Sequence, residues 1–335
     1  MTYVSTGLIQ AADFNNFVGN GVSGPNLNAT WNSTYGQPAV PTVAANTVVT
    51  APGYWTSLNA NLTAAGAHQG TVLTSRSNPT SGQTISILAN LATDISTVYT
   101  NRFNAANVGT QFTGWTGAVS FNTNIGNTAA NIRGGWTATF TDTITFANSA
   151  AANTFFAAGG YAQVQFGKQT TGTVTDTEWN AFIGAAGAGG TVASKVILTV
   201  DAAAKNLPGW TGVLGTGKTG GTGTPSILGN AIGFNQLTTS PQNIYKQLDS
   251  GLYTGNYVNI AASKNATGNV ITLTTTWFEA GGDVGANTTI TGGTLTSGAA
   301  FGTGPATLVT LYPPEINNIA NVWGSYAVAS SIANT

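Results

Sequence analysis

From Trp136 to Phe146 the chain reads WTATFTDTITF, and the period of this run constrains the fold more than any other feature. Trp136, Ala138, Phe140, Ile144 and Phe146 fall on one side of an extended chain, and Thr137, Thr139, Thr141, Thr143 and Thr145 on the other. A period of two belongs to a β-strand, whose successive side chains point to opposite faces. One face is buried, and the other meets its surroundings with hydroxyls instead of charges. The pattern returns from Tyr161 to Phe166, Lys195 to Asp201, Tyr257 to Ala261 and Val270 to Phe278.

Uncharged strand faces agree with a general scarcity of charge. Asp, Glu, Lys and Arg make up 6% of the residues, against roughly 25% in ordinary soluble domains. Thr, Asn, Ser and Gln supply the polarity, beside 44 glycines. With a formal net charge of −1 the copies repel one another weakly, so much of the exterior is expected to be covered by neighbouring subunits, like or unlike. At 41% hydrophobic the chain has the material for a core, and its 335 residues suffice for one large domain or two to three ordinary ones.

Nine basic residues scattered singly form no stripe for a nucleic-acid backbone, so polynucleotides are not expected as partners. No segment approaches the ~20 apolar residues of a bilayer span, and MTYVSTGLIQ lacks the pattern of a secretion signal. Membrane insertion and export by this N-terminus are therefore not expected. Cysteine is absent, which removes disulfides and thiolate metal sites.

Helical spacing appears earlier in the chain. Residues 7–18, 48–58 and 173–183 each place an aromatic residue three before another apolar one, giving the pairs Phe14/Phe17, Trp55/Leu58 and Trp179/Phe182. Thr50 with Pro52 and Thr175 with Glu178 fit helix starts. A longer helix is expected from about Thr84 to Asn104, on the spacing of Ile87, Leu91, Ile95, Val98 and Phe103. The fold class is α+β: short aromatic-anchored helices in the N-terminal part, antiparallel or mixed β-rich middle and C-terminal parts. The expected regions are 1–112, mixed helical; 113–206, α/β; 207–226, a Gly/Thr-rich loop or linker; and 227–335, β-rich.

Several motifs invite a chemical reading. Gly159-Gly160 follows the alanine-rich helical run Ala150 to Ala158, at the end where the helix dipole repels anions, so the pair is expected to turn the chain into the strand at Tyr161, completing a strand, helical crossover, strand unit. GVLGTGKT, carrying Gly212, Gly217, Lys218 and Thr219, matches the phosphate-loop pattern letter for letter. It is preceded by Leu-Pro-Gly-Trp and followed by glycines and a proline, where the motif needs a strand and a helix, and it reads as a chance match with Lys218 in a solvated loop. No nucleotide or other cofactor is expected.

His68 is the sole histidine, with no carboxylate nearby in sequence to orient it, and reads as a turn residue or a subunit contact. Asp176 and Glu178 belong to a helix first turn. Glu279 and Asp283 flank Gly281-Gly282 in an expected loop and with Asn287 are the candidates for calcium, without EF-hand spacing. Trp115, Trp136, Trp210, Trp277 and Trp323 are candidates for stacking on sugars, against the usual place of tryptophan in a core.

The run TGLIQAADFNNFVG, then LNATWNSTYGQ, VVTAPGYWTSLNANL and AHQGT, and later ITFANSAAANTFFAAGGYAQVQF, resembles a family of virion structural proteins from large tailed bacteriophages, especially those of marine bacteria and cyanobacteria. The resemblance spans about half the chain. It implies a non-enzymatic particle component located in the virion, whose partners are copies of itself and other virion proteins. The expected station is exterior, in the tail or a fibre-like appendage, with capsid decoration as the nearest variant. Interaction surfaces are expected at Phe14, Trp31, Trp55 and Trp179 and on the polar strand faces. Two other classes stay open: a carbohydrate-binding adhesin for a host surface glycan, and a phosphate-loop nucleotide hydrolase using Lys218.

Overall fold

The computed structural model describes residues 11–19, 24–45, 51–78, 88–104, 119–124, 136–167, 182, 194–200, 224–226, 232–249, 255–280 and 306–334. The fold is α+β, with short helices early in the chain and antiparallel sheets after them.

Among the described residues of the first hundred lie the helices α1 (Ala11–Val18), α2 (Leu27–Trp31), α3 (Thr56–Gln69), entered through a π-helical turn at Ala51–Trp55, and α4 (Leu88–Thr100). Asn26 caps α2, its Oδ1 accepting the Ala29 amide at 2.8 Å. On α4 the apolar spacing holds, with Leu91, Ile95 and Val98 all buried, while Phe103 lies beyond the helix end. The helix expected over 48–58 runs on to Gln69. Leu58, Asn59, Leu62, Ala65, Gly66, His68 and Gln69 are buried on one face, but four of the seven are polar or glycine, so α3 has no apolar stripe for sequence periodicity to reveal. It ends at Gly70, whose φ of 65° is the left-handed geometry that glycine adopts without strain.

Side-chain amides do much of the pinning that ion pairs do elsewhere. Asn15 bonds both the amide and the carbonyl of Val43, at 2.7 and 2.8 Å; Asn28 does the same to Val40, both at 2.9 Å. Gln37 grips Ala320 in the same two-pronged way, at 2.9 and 3.1 Å. Each amide imitates one rung of a β-ladder and satisfies backbone groups that would otherwise be buried unpaired.

Two sheets follow, antiparallel at every pairing among the described strands. β1 (Val119–Asn124), β9 (Ala306–Tyr312), β3 (Tyr161–Gly167) and β4 (Ser194–Leu198) form one, in the order β1-β9-β3-β4. The other runs β10 (Tyr326–Asn334), β2 (Trp136–Phe146), β8 (Val270–Glu279), β7 (Tyr257–Lys264), β6 (Gln242–Leu248), β5 (Thr224–Ser226). Burial in β8 alternates along its whole length, with Ile271, Leu273, Thr275, Trp277 and Glu279 inward.

The interleaving of strands departs from the expected regional order. β2 is paired by β8 on one side and β10 on the other, and β9 lies between β1 and β3, so the 113–206 and 227–335 stretches share both sheets. The end of the 207–226 stretch, expected as loop, is strand β5. Helix α5 (Ser149–Ala157) joins β2 to β3, the expected strand, helix, strand order, and the two strands belong to different sheets. Gly159, at φ 104°, turns the chain out of α5 into β3 as expected.

The chain divides into two compact units. The first comprises Met1–Gly114, Asn153–Gly159 and Pro314–Trp323; the second comprises Trp115–Ala152, Gly160–Pro313 and Gly324–Thr335.

Candidate functional site

Phe14, Trp31 and Trp55, expected as interaction knobs, are buried in the protein's own core, at 0%, 8% and 1% exposure. Phe14 meets Trp55 edge-on, with ring centroids 5.3 Å apart at 79°. Burial of apolar surface claims these rings before any partner can. Trp179 and its helix lie outside the described residues, apart from Phe182, which is fully buried.

His68 differs most from its sequence reading. It stands in the last turn of α3, 2% exposed. Its Nε2 bonds the Ala158 carbonyl oxygen at 2.8 Å, and its Nδ1 stands 3.5 Å from Oε2 of Glu315. The orienting carboxylate missing from its sequence neighbourhood is therefore supplied by a residue far along the chain. Burial pushes the Glu315 carboxyl upward, but the His68 ring and the Asn317 amide outweigh it and hold the group below its ordinary value.

The ring of Tyr35 meets His68 edge-on at 5.0 Å. The Tyr35 hydroxyl donates to the Arg102 carbonyl at 2.8 Å and accepts from Gln69 Nε2 at 2.7 Å. A histidine–carboxylate pair can serve general-base catalysis when the far ring nitrogen faces a substrate proton. Here that nitrogen is taken by a backbone carbonyl inside the core. The cluster fastens the three chain segments of the first unit and offers no reacting position.

The remaining expected sites divide between buried and undescribed residues. Glu279 ends β8, 1% exposed, and not in a loop; Asp283 and Asn287 lie outside the described residues. Among the described residues no three His, Cys, Asp or Glu side chains gather to hold a metal ion. Trp277 and Trp323 are buried at 0% and 2%, which removes them as sugar-stacking platforms. Trp115, Trp210, Asp176, Glu178 and the phosphate-loop match with Gly212, Gly217, Lys218 and Thr219 lie outside the described residues. Asn26, Asn28 and Asn32 line an open groove with Tyr99 and Arg102, but their amides are spent on backbone groups of their own unit. No helix among the described residues is long and apolar enough to cross a membrane.

Asp142 is the residue that sequence reasoning passed over. It falls in the same phase of β2 as Phe140 and Ile144 and is buried with them, 4% exposed. Ser330 of β10 donates its hydroxyl to Oδ1, and Oδ2 has no hydrogen-bond partner. Across β8 the residue opposite is Leu273. Burial raises the carboxyl from 3.8 to about 6, against the opposing effect of the Ser330 bond.

A carboxyl raised on folding contributes stability that is fully present below its unfolded value and is lost as pH rises through about 6. Asp142→Asn removes that titration. Its unfolding free energy relative to wild type is expected to rise by about 2 kcal/mol between about pH 4 and about pH 8. Urea titrations at both pH values measure this, and a pH-independent difference contradicts it.

The outer face of the same sheet carries the feature most suggestive of function. Thr139, Thr141 and Thr143 of β2 stand directly opposite Thr276, Thr274 and Thr272 of β8, all part-exposed. β10 continues this face with Ala329, Ser331 and Ala333, and β7 with Asn259 and Ser263. Across these four strands the outward positions from 139 to 143 and their partners carry no charge. Threonine pairs support the ladder locally and leave a surface of small polar groups.

No protein-family model matches the chain, and no curated protein or solved structure matches it.

Proposed function

We propose that the protein is a non-enzymatic structural component of a tailed-phage virion, placed on the exterior in the tail or a fibre-like appendage, with capsid decoration as the nearest variant. The observation that carries this reading is the uncharged, threonine-paired face spanning β10, β2, β8 and β7 in a chain of 6% charged residues. Hydroxyl and amide surfaces can be desolvated against a neighbour at far lower cost than ionised ones. Such a face suits a repeated part in contact with other subunits.

The resemblance of the N-terminal runs and of the segment from Ile144 to Phe166 to virion structural proteins supports the same assignment. The buried His68–Glu315 pair favours a structural over a catalytic use of the one histidine. The adhesin reading loses support with the burial of Trp277 and Trp323.

Quantitative mass spectrometry of purified particles from a producing host tests the proposal. The chain is expected in many copies per particle, retained through a high-salt wash. Its absence from washed particles overturns the assignment.

A further inference from the structure

The surroundings of His68 fix where its protons sit. Nε2 lies 2.8 Å from the Ala158 carbonyl oxygen. A carbonyl only accepts, so Nε2 carries a hydrogen. Nδ1, equally buried, then presents either a bare lone pair or a second N–H to Oε2 of Glu315, 3.5 Å away. A lone pair aimed at a carboxylate inside the protein is repelled, whereas an N–H there is attracted and the charge of the ring is matched. The ring therefore carries both protons while Glu315 stands beside it.

Among the described residues no other group takes over either role. The Tyr35 hydroxyl is engaged by Gln69 and the Arg102 carbonyl, and burial pushes that phenol upward, so it stays neutral. Asp94 on α4 is bound to Arg76, and the Arg102 guanidinium lies over the rings of Tyr99 and Phe103. Asn153–Gly159, which supplies Ala158, has no ionisable side chain.

Glu315 in turn anchors the segment it belongs to. Its Oε1 accepts the Asn317 amide, and further on Gln37 grips the amide and carbonyl of Ala320. This segment, Pro314–Trp323, leads from β9 to β10 and carries Ile316 and Val322, large apolar side chains exposed at 64% and 40%.

We propose that His68 and Glu315 form a proton-gated latch: the doubly protonated ring holds the segment from Pro314 to Trp323 against α3, and loss of the Nδ1 proton loosens it. With Nδ1 bare, its lone pair and the carboxylate repel, and Glu315 gives up its hold. The direction of the switch follows from both partners. Glu315, held below its ordinary value despite its burial, contributes stability that is present above that ordinary value and is lost as pH falls through the lowered one. The contribution of the ring is present in acid and is lost as its Nδ1 proton leaves. The latch is thus shut at mildly acidic pH and opens as pH rises. It is a property of the first unit and does not rest on the virion assignment.

Because the chain has a single histidine, isotopic labelling of histidine nitrogen gives one pair of ring signals in NMR, and their shifts read the protonation of each nitrogen. Spectra of the full chain between about pH 5 and about pH 9, which bracket the histidine range, are paired with hydrogen exchange. Wild type is expected to show both nitrogens protonated at the acid end. As pH rises, Nδ1 alone is expected to lose its proton, in one step with a fall of about tenfold or more in the protection of the Ala320 amide relative to its intrinsic exchange rate.

Glu315→Gln keeps the shape and offers Nδ1 either an oxygen or an N–H, so its Ala320 protection is expected to stay level across the range. Asp142 titrates in the second unit of both proteins, and the difference between them isolates the latch. A neutral ring whose hydrogen sits on Nδ1 and not on Nε2, a ring that loses its proton with no change at Ala320, or a Glu315→Gln protein whose Ala320 amide responds to pH as wild type does overturns the proposal.

Discussion

Replacing Trp55 with alanine is expected to lower the unfolding free energy of the first unit by about 3–5 kcal/mol, the cost typical of removing a large aromatic side chain from a packed core. Trp55 ends the π-helical turn that leads into α3 and is 1% exposed. Its ring meets Phe14 edge-on at 5.3 Å and Phe17 at 6.4 Å, both on α1. The indole is the contact through which α1 and the start of α3 hold each other. Its removal leaves a cavity that two short helices cannot close without shifting. Hydrogen exchange in the full chain measures the effect element by element: amides of α1 and α3 are expected to lose protection while those of β2 and β8 keep theirs. A loss below about 1 kcal/mol contradicts the packing described.

A loss of similar size is expected from Asp94→Ala, about 3–5 kcal/mol, for an electrostatic reason. Asp94 on α4 is 5% exposed. It accepts from Arg76 Nη2 at 2.6 Å, from the Thr74 amide at 3.1 Å and from the Thr74 hydroxyl at 3.2 Å. Through these bonds one carboxylate ties the strap after α3 to α4. Burial lowers the Arg76 guanidinium from its ordinary value, and the Asp94 charge opposes that shift.

Alanine at 94 strands a buried cation and two unmatched donors from Thr74. Replacing both charges, in Arg76→Leu/Asp94→Leu, is expected to recover most of the loss, because a buried pair removed together costs far less than one partner left behind. Denaturant melts of the three proteins decide the matter. A double variant as unstable as Asp94→Ala contradicts this account of the pair.

What the sequence revealed and what it hid follow from how far each signal reaches along the chain. The alternation in β2 and β8 and the spacing of Leu91, Ile95 and Val98 are local, and the structure carries them almost residue for residue. α3 is half visible because its buried face includes Asn59, Gly66, His68 and Gln69, which break the apolar stripe. β10 escaped notice because its outward residues are alanine and serine, small enough to blur alternation.

Pairing partners were less legible still. Nothing local to β2 says that its neighbours come from the last third of the chain, or that Glu315 will stand beside His68. Long-range contacts are set by the packing of the whole, and sequence patterns record which face is buried and not against what. Asp142 is the instructive exception: its position in the inward phase of β2 was readable from the alternation itself, and a carboxyl in that phase foretells a raised pKa. The aromatic knobs show the converse: an aromatic at helical spacing reads equally as core or as contact, and Phe14, Trp31 and Trp55 are buried among the helices.

The central claim is that this weakly charged chain is a repeated part of a particle. Gold-labelled antibodies against it, applied to intact phage under the electron microscope, test that claim most directly. The account predicts label in a regular arrangement on the exterior, along the tail or its appendages, or over the capsid in the variant reading. Particles that stay unlabelled while the soluble lysate holds all of the antigen contradict it.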